Sequence, residues 1–151
     1  MATTKFLARD LAISVRTAVG PDVFTPILGL DTLTHSPATE KADTTGFDED
    51  GRATHIVAQR SESWELAGKA LLDVAAVGEG KDPGQKAVEV LADAVGAAAE
   101  GRFQLVDPAG NKREFSATVE HTRPGGGHND GATWGATLEM TGPAVYTPSV
   151  A

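Results

Sequence analysis

Apolar and polar side chains alternate almost without exception along residues 115–119 and 132–140. Phe115, Ala117 and Val119 share one phase, as do Trp134, Ala136, Leu138 and Met140, while Glu114, Ser116, Thr118, Glu120, Thr133, Thr137, Glu139 and Thr141 fill the other. A period of two places successive side chains on opposite faces of a strand, so the pattern predicts a β-ribbon with a core on one side and solvent or a channel on the other. Gly125-Gly126-Gly127 and the turn dipeptide Asp130-Gly131 lie between the two stretches, as a hairpin requires.

Upstream, Leu11, Ile13 and Val15 alternate with Ala12, Ser14 and Arg16 and predict a short strand that ends at Gly20-Pro21-Asp22. Residues 23–30 form a second apolar stretch, where Pro26 implies an edge strand or a bend. A long polar segment over 32–45 runs to an exposed tip at 46–51, and an arm over 53–66 returns. The hairpin loop is placed at about 40–52. In the returning arm Ile56, Ala58, Trp64 and Leu66 share a phase that also holds Arg60 and Glu62. Either a bulge shifts the register or the arm projects beyond the core, and the polarity of the facing segment favours projection.

Asp82-Pro83-Gly84-Gln85 is a helix start, with a capping carboxylate and a proline at the first helical position. Val88, Leu91 and Val95 give the helical stripe, Gly101 offers a stop, and the helix is placed at about 83–99. Phe103 and Leu105 begin another strand, Asp107-Pro108-Ala109-Gly110 is a turn, and residues 144–150 form a last strand or an arm. Strands, one helix, then strands, without βαβ alternation, predict one α+β domain over 1–151. Its architecture is expected to be a mainly antiparallel β-sandwich or open barrel flanked by one α-helix, with a long hairpin and terminal arms.

Composition narrows the function classes. A chain of 151 residues suffices for a single core. A formal charge of −8 and a pI near 4.9 argue against a surface that grips nucleic-acid phosphates. Zero cysteines exclude a disulfide scaffold and cysteine-ligated zinc. The first ten residues have no apolar core of a signal peptide, and no stretch is long enough for a membrane helix, so neither export by a standard signal nor a membrane anchor is expected.

Candidate chemistry is sparse. His121, His128 and Asp130 flank the glycine turn, but a metal site needs ligands on rigid elements, so both histidines are expected at the surface. Asp48, Glu49 and Asp50 precede Gly51 as in a calcium loop, yet the first ligand position of that pattern falls on Gly46. The three glycines at 125–127 lack the Lys-Ser/Thr and helix of a phosphate-binding loop. No nucleophile elbow accompanies the Ser, His and Asp residues, and no enzyme, cofactor or metal is expected. Trp64 and Trp134 fall in apolar phases and are expected in the core. Trp64, Trp134 and the loop from His121 to Asp130 motivate a different reading, a β-sandwich that binds a carbohydrate or protein ligand.

The order of these features resembles the major tail protein, or tail tube subunit, of long-tailed bacteriophages, of the kind found in phages of actinobacteria. The resemblance runs through Ile27-Leu28-Gly29-Leu30, the hairpin around Thr44-Thr45-Gly46-Phe47-Asp48, and Ser63-Trp64-Glu65-Leu66-Ala67-Gly68 leading into Leu71-Leu72-Asp73. It continues through the Asp82-Pro83-Gly84-Gln85 helix, Phe103-Gln104-Leu105 and the ribbon to Gly142-Pro143. The resemblance implies a structural virion protein whose hexameric rings stack into a tube, with subunit hairpins forming a β-barrel around a channel for DNA. It implies inter-ring contacts by Asp43, Phe47, Asp48, Glu49, Asp50 and Arg52, and an acidic lumen for which Glu114, Glu120 and Glu139 are the candidates. Partners would be other copies of the chain and the tape measure, tail terminator and distal tail proteins, with DNA passing unbound. Assembly would occur in the host cytoplasm and the product would reside in the virion tail. An inner-tube protein of a contractile tail or injection system shares this pattern.

Overall fold

The computed structural model describes residues 3–46, 51–72 and 81–149. Its elements are β1 (Ala12–Ala18), β2 (Val23–Pro26), β3 (Leu30–Asp43), β4 (His55–Lys69), α1 (Pro83–Asp93), β5 (Glu100–Val106), β6 (Lys112–Thr122) and β7 (Thr133–Thr147). All pairings between these strands are antiparallel and join them into one seven-stranded sheet of order β2-β1-β5-β6-β7-β4-β3. Among the described residues this is one continuous open sheet with α1 on one face, so the expectation of a sandwich narrows to a mainly antiparallel sheet covered by a helix. Pro26 ends the edge strand β2, where its missing N–H costs no ladder bond.

Period-two patterning set the core as expected. Ile13 and Val15, Phe103, Phe115 to Ala117 to Val119, and Trp134, Ala136 and Leu138 are buried on the helix side, joined by Leu66 and Val88. Met140 is only half-buried, near the end of the covered area. β7 does not stop at Gly142-Pro143. Glu114 pairs with Val145 and Ser116 with Thr141, so residues 142–144 bulge and the strand resumes to Thr147. Gly142 takes φ 78° at that bulge, a conformation that favours glycine.

α1 begins where the capping signal places it, with the Gln85 amide donating to Asp82 Oδ2 at 3.2 Å. It ends earlier than expected, at Asp93 and not near residue 99. Ala94 is already extended, Gly96 adopts φ 71°, and Gly96–Ala99 forms a separate 3-10 turn. The stop is therefore Gly96 and not Gly101, and Val95, 87% exposed, lies outside the apolar stripe. Gly101 instead sits within β5, where the side chain of Leu91 fills the place a Cβ would need. The hairpin loop also differs: β3 and β4 pair as far as Asp43 with His55, so Glu40 to Asp43 are strand and not loop.

Gln85 ties the helix start to the sheet. Its side chain is 2% exposed, Nε2 donates to the carbonyls of Leu28 and Lys69 at 2.9 Å each, and Oε1 accepts from the Leu71 amide at 3.0 Å. An amide side chain satisfies all three otherwise orphaned backbone groups at once. Gln85→Leu removes those partners while keeping much of the volume, and unpaired buried polar groups cost ~1–3 kcal/mol each, so it is expected to lower the unfolding free energy by roughly 3 kcal/mol in urea titrations. Val95→Ala, just beyond the opposite end of the helix and in solvent, is expected to stay within ~0.5 kcal/mol of the parent.

Candidate assembly surfaces

β4 pairs with β7 only from Ser63 to Lys69. Beyond Glu62 its sole partner among the described residues is β3, so residues 37–43 and 55–62 leave the sheet as a two-stranded ribbon, on the order of 24 Å long at ~3.4 Å per residue. Nearly every residue of the ribbon is exposed, including Ile56 at 59%. That accounts for Arg60 and Glu62 in the apolar phase: there is no core beneath them. A bulge is present as well. Glu40 pairs with Gln59 but Lys41 with Val57, which leaves Ala58 as the extra residue and turns Ile56 to the opposite face from Trp64 and Leu66.

Threonines close the ribbon's end. The Thr44 amide donates to the Thr54 carbonyl at 3.0 Å, and the Thr54 amide donates to Thr45 Oγ1 at 3.0 Å. Asp43 accepts from the Thr45 amide at 2.9 Å, and hydrogen bonds from Thr45 hold its carboxyl below the usual range. Arg52 is exposed. Phe47, Asp48, Glu49 and Asp50 lie outside the described residues.

The sheet face away from α1 carries the second surface. Residues directly opposite in an antiparallel pair share a face. The rows Glu120–Thr137–Glu65, Glu100–Thr118–Glu139–Ser63 and Gln104–Glu114 therefore place Glu114, Glu120 and Glu139 together, with Glu65 and Glu100 added. Glu65 falls between Trp64 and Leu66 and so in the polar phase of its arm; Glu100 gave no such signal because its strand was expected to begin at Phe103. Glu114 is partly neutralised, with Arg102 at 3.5 Å and Gln104 Nε2 donating at 3.2 Å. Thr141 donates to Glu100 at 3.3 Å. Glu120 and Glu139 stand exposed.

Where β4 and β7 diverge, a notch of about 630 Å³ opens between Pro37, Gln59, Arg60, Met140 and Pro143. Beside it a recess of about 320 Å³ holds Trp64, half-buried, with the His35 ring 4.7 Å away and His35 Nε2 at 3.0 Å from Glu62 Oε1. Trp134 is 2% exposed and donates its indole N–H to Glu89 Oε1 at 3.3 Å. It is thus unavailable for stacking on a ligand, which removes one motive for a binding module.

The histidines flanking the glycine turn do not converge. His128 is exposed and Asp130 accepts from the Gly127 amide at 3.2 Å. His121, expected at the surface, points inward with its side chain 9% exposed and its ring 5.4 Å from Trp134. The signal was legible: His121 continues the phase of Phe115, Ala117 and Val119. Among the described residues no group of three or more His, Asp or Glu is placed to hold a metal ion, and no helix is long and apolar enough to cross a membrane.

No family model and no curated protein matches the chain. Solved structures do. A chain from the tail of an empty gene transfer agent particle, refined with C6 symmetry, is similar with a TM-score of 0.72 at 20% identity, over 95% of this chain and 99% of that one. The SPP1 tail tube is similar with a TM-score of 0.69 at 14% identity, over 97% and 81%. A chain of the anti-feeding prophage baseplate is similar with a TM-score of 0.55 at 12% identity, over 97% and 98%. At these identities the likeness is one of fold, a mainly antiparallel sheet with one helix.

Because Ile56 is already wet, Ile56→Asp is expected to change the urea stability of the isolated chain by less than ~0.5 kcal/mol. Leu138→Asp, which puts a charge into the core at a fully buried position, is expected to abolish the cooperative transition.

Proposed function

We propose that the chain is a structural tail tube subunit of a long-tailed phage. Copies join into hexameric rings that stack into a tube, and the tube conducts DNA on ejection. The observation that carries this reading is the ribbon of 37–43 and 55–62, a long hairpin with no core of its own and an unpaired β3 edge among the described residues. An isolated two-stranded ribbon is marginal in water and an open edge invites pairing, so a neighbouring copy is the partner that completes it. The fold shared with the tails of the gene transfer agent particle and SPP1 supports the same reading.

On this reading the polar face lines the bore. Glu120 and Glu139, with Glu65 and Glu100, repel phosphates and keep a polyanion from adhering, while Arg102 beside Glu114 limits the charge density at the face's other end. Residues 43–52 reach the next ring. The tube belongs to the virion tail, is assembled in host cytoplasm with tape measure, terminator and distal tail proteins, and needs no catalysis; an actinobacterial host follows from the sequence resemblance alone. The likeness to the anti-feeding prophage baseplate supports a second reading, an inner tube within a contractile sheath.

Electron microscopy of the purified chain tests the reading, with hollow tubes of uniform diameter as the expected result. Replacing residues 44–54 with an Asn-Gly turn keeps β3 and β4 joined, so that variant is expected to fold with an unchanged melting midpoint yet to form no tubes. Tubes of normal length from it would contradict an inter-ring role for the loop.

A further inference from the structure

Glu89 of α1 holds a partly buried polar knot against the sheet. Its Oε2 accepts from Lys81 Nζ at 3.0 Å and its Oε1 from the Trp134 indole at 3.3 Å. His121 of β6 packs on Trp134 and brings Nε2 to 3.7 Å from Glu89 Oε1, too far for a hydrogen bond, so this buried nitrogen has no hydrogen-bond partner. A neutral imidazole tolerates that position, since an acceptor nitrogen loses only one bond to water. An imidazolium would require an acceptor there, and Glu89 Oε1, which already accepts from the Trp134 indole, stands at 3.7 Å, beyond hydrogen-bond reach of a ring nitrogen that is cut off from water.

We propose that His121 is an acid-sensitive latch: its neutral ring, wedged beside Glu89 and Trp134, keeps α1 docked on the sheet, and protonation loosens the helix. The surroundings favour the neutral form. Burial pushes the imidazole's pKa below its ordinary 6.5, and the positive charges of Arg123 and Lys81 act in the same direction against Glu89 and Asp93. The unfolded chain therefore binds this proton more readily than the folded one. Stability is whole above about 6.5 and is lost as pH falls through that value toward the folded pKa. Glu89 acts in a separate window. Burial raises its pKa, but hydrogen bonds from Lys81 and Trp134 and the charges of Lys81 and His121 outweigh it and hold the carboxyl below 4.5, so its contribution is lost only in stronger acid. The inference concerns the single subunit and stands apart from the assembly reading.

Thermal unfolding of the subunit between about pH 7.5 and 5.5 tests it. His121→Gln is expected to shrink the drop in midpoint across that range by half or more, while His128→Gln, on the exposed loop, keeps the drop in full. Should His121→Gln fail to fold, NMR titration of the parent replaces it: the His121 ring is expected to titrate below about 6.5 and the Trp134 indole N–H to shift in the same step. A full drop in His121→Gln, or a His121 ring titrating at the ordinary value with a silent Trp134 indole, would overturn the proposal.

Discussion

A strand has two hydrogen-bonding edges, and the fold turns on how few of them the long hairpin satisfies within one chain. Among the described residues, β3 pairs on one side only from Leu30 to Asp43, and β4 loses its second neighbour beyond Ser63. Every other feature of the ribbon follows from having no layer above or below it: Arg60 and Glu62 occupy positions that would be buried in a normal sheet, and Ile56 and Val57 are left in solvent. Pro37 and Lys41 sit on the edge strand, residue types that discourage indiscriminate pairing without preventing a matched one. Such an element stabilises little in a monomer, and that is the feature the proposed pairing with a second copy accounts for.

The rest of the subunit is a rigid mount for that arm. α1 is anchored at its start by Asp82 and Gln85 and along its length by Val88 and Leu91, and the knot at Glu89 fixes the face turned to β6 and β7. Covering one face of the sheet leaves the other free to carry Glu, Thr and Ser without breaking the core. The two faces therefore divide labour: one folds the subunit and the other remains wet and acidic.

Much of this was legible in the sequence because one-sided burial imposes a strict period of two. The core residues of β6 and β7 were readable on that basis, while the cap at Asp82 and the edge character at Pro26 were readable from capping and proline chemistry, and the projecting arm from the polarity of its facing segment. Boundaries were less so. Alanine-rich residues 94–99 match a helical stripe, but Gly96 at φ 71° and the loss of contact at Val95 end the helix, and neither is visible without the packing. The bulge at Ala58 leaves no mark in composition. His121 was misjudged because its neighbours in sequence are turn residues, although its phase matched the buried face. Sandwich and open sheet share the same local periodicity, so only the strand order separates them.

Amide hydrogen exchange at residues 37–43 and 55–62, measured on the free subunit and on the assembled particle, tests the central claim most directly. The account predicts weak protection of these amides in the free subunit, with β5 to β7 strongly protected, and a rise of at least a hundredfold on assembly, corresponding to about 2.7 kcal/mol. Equal protection of the ribbon in both states would contradict it, since the hairpin would then be complete within one chain.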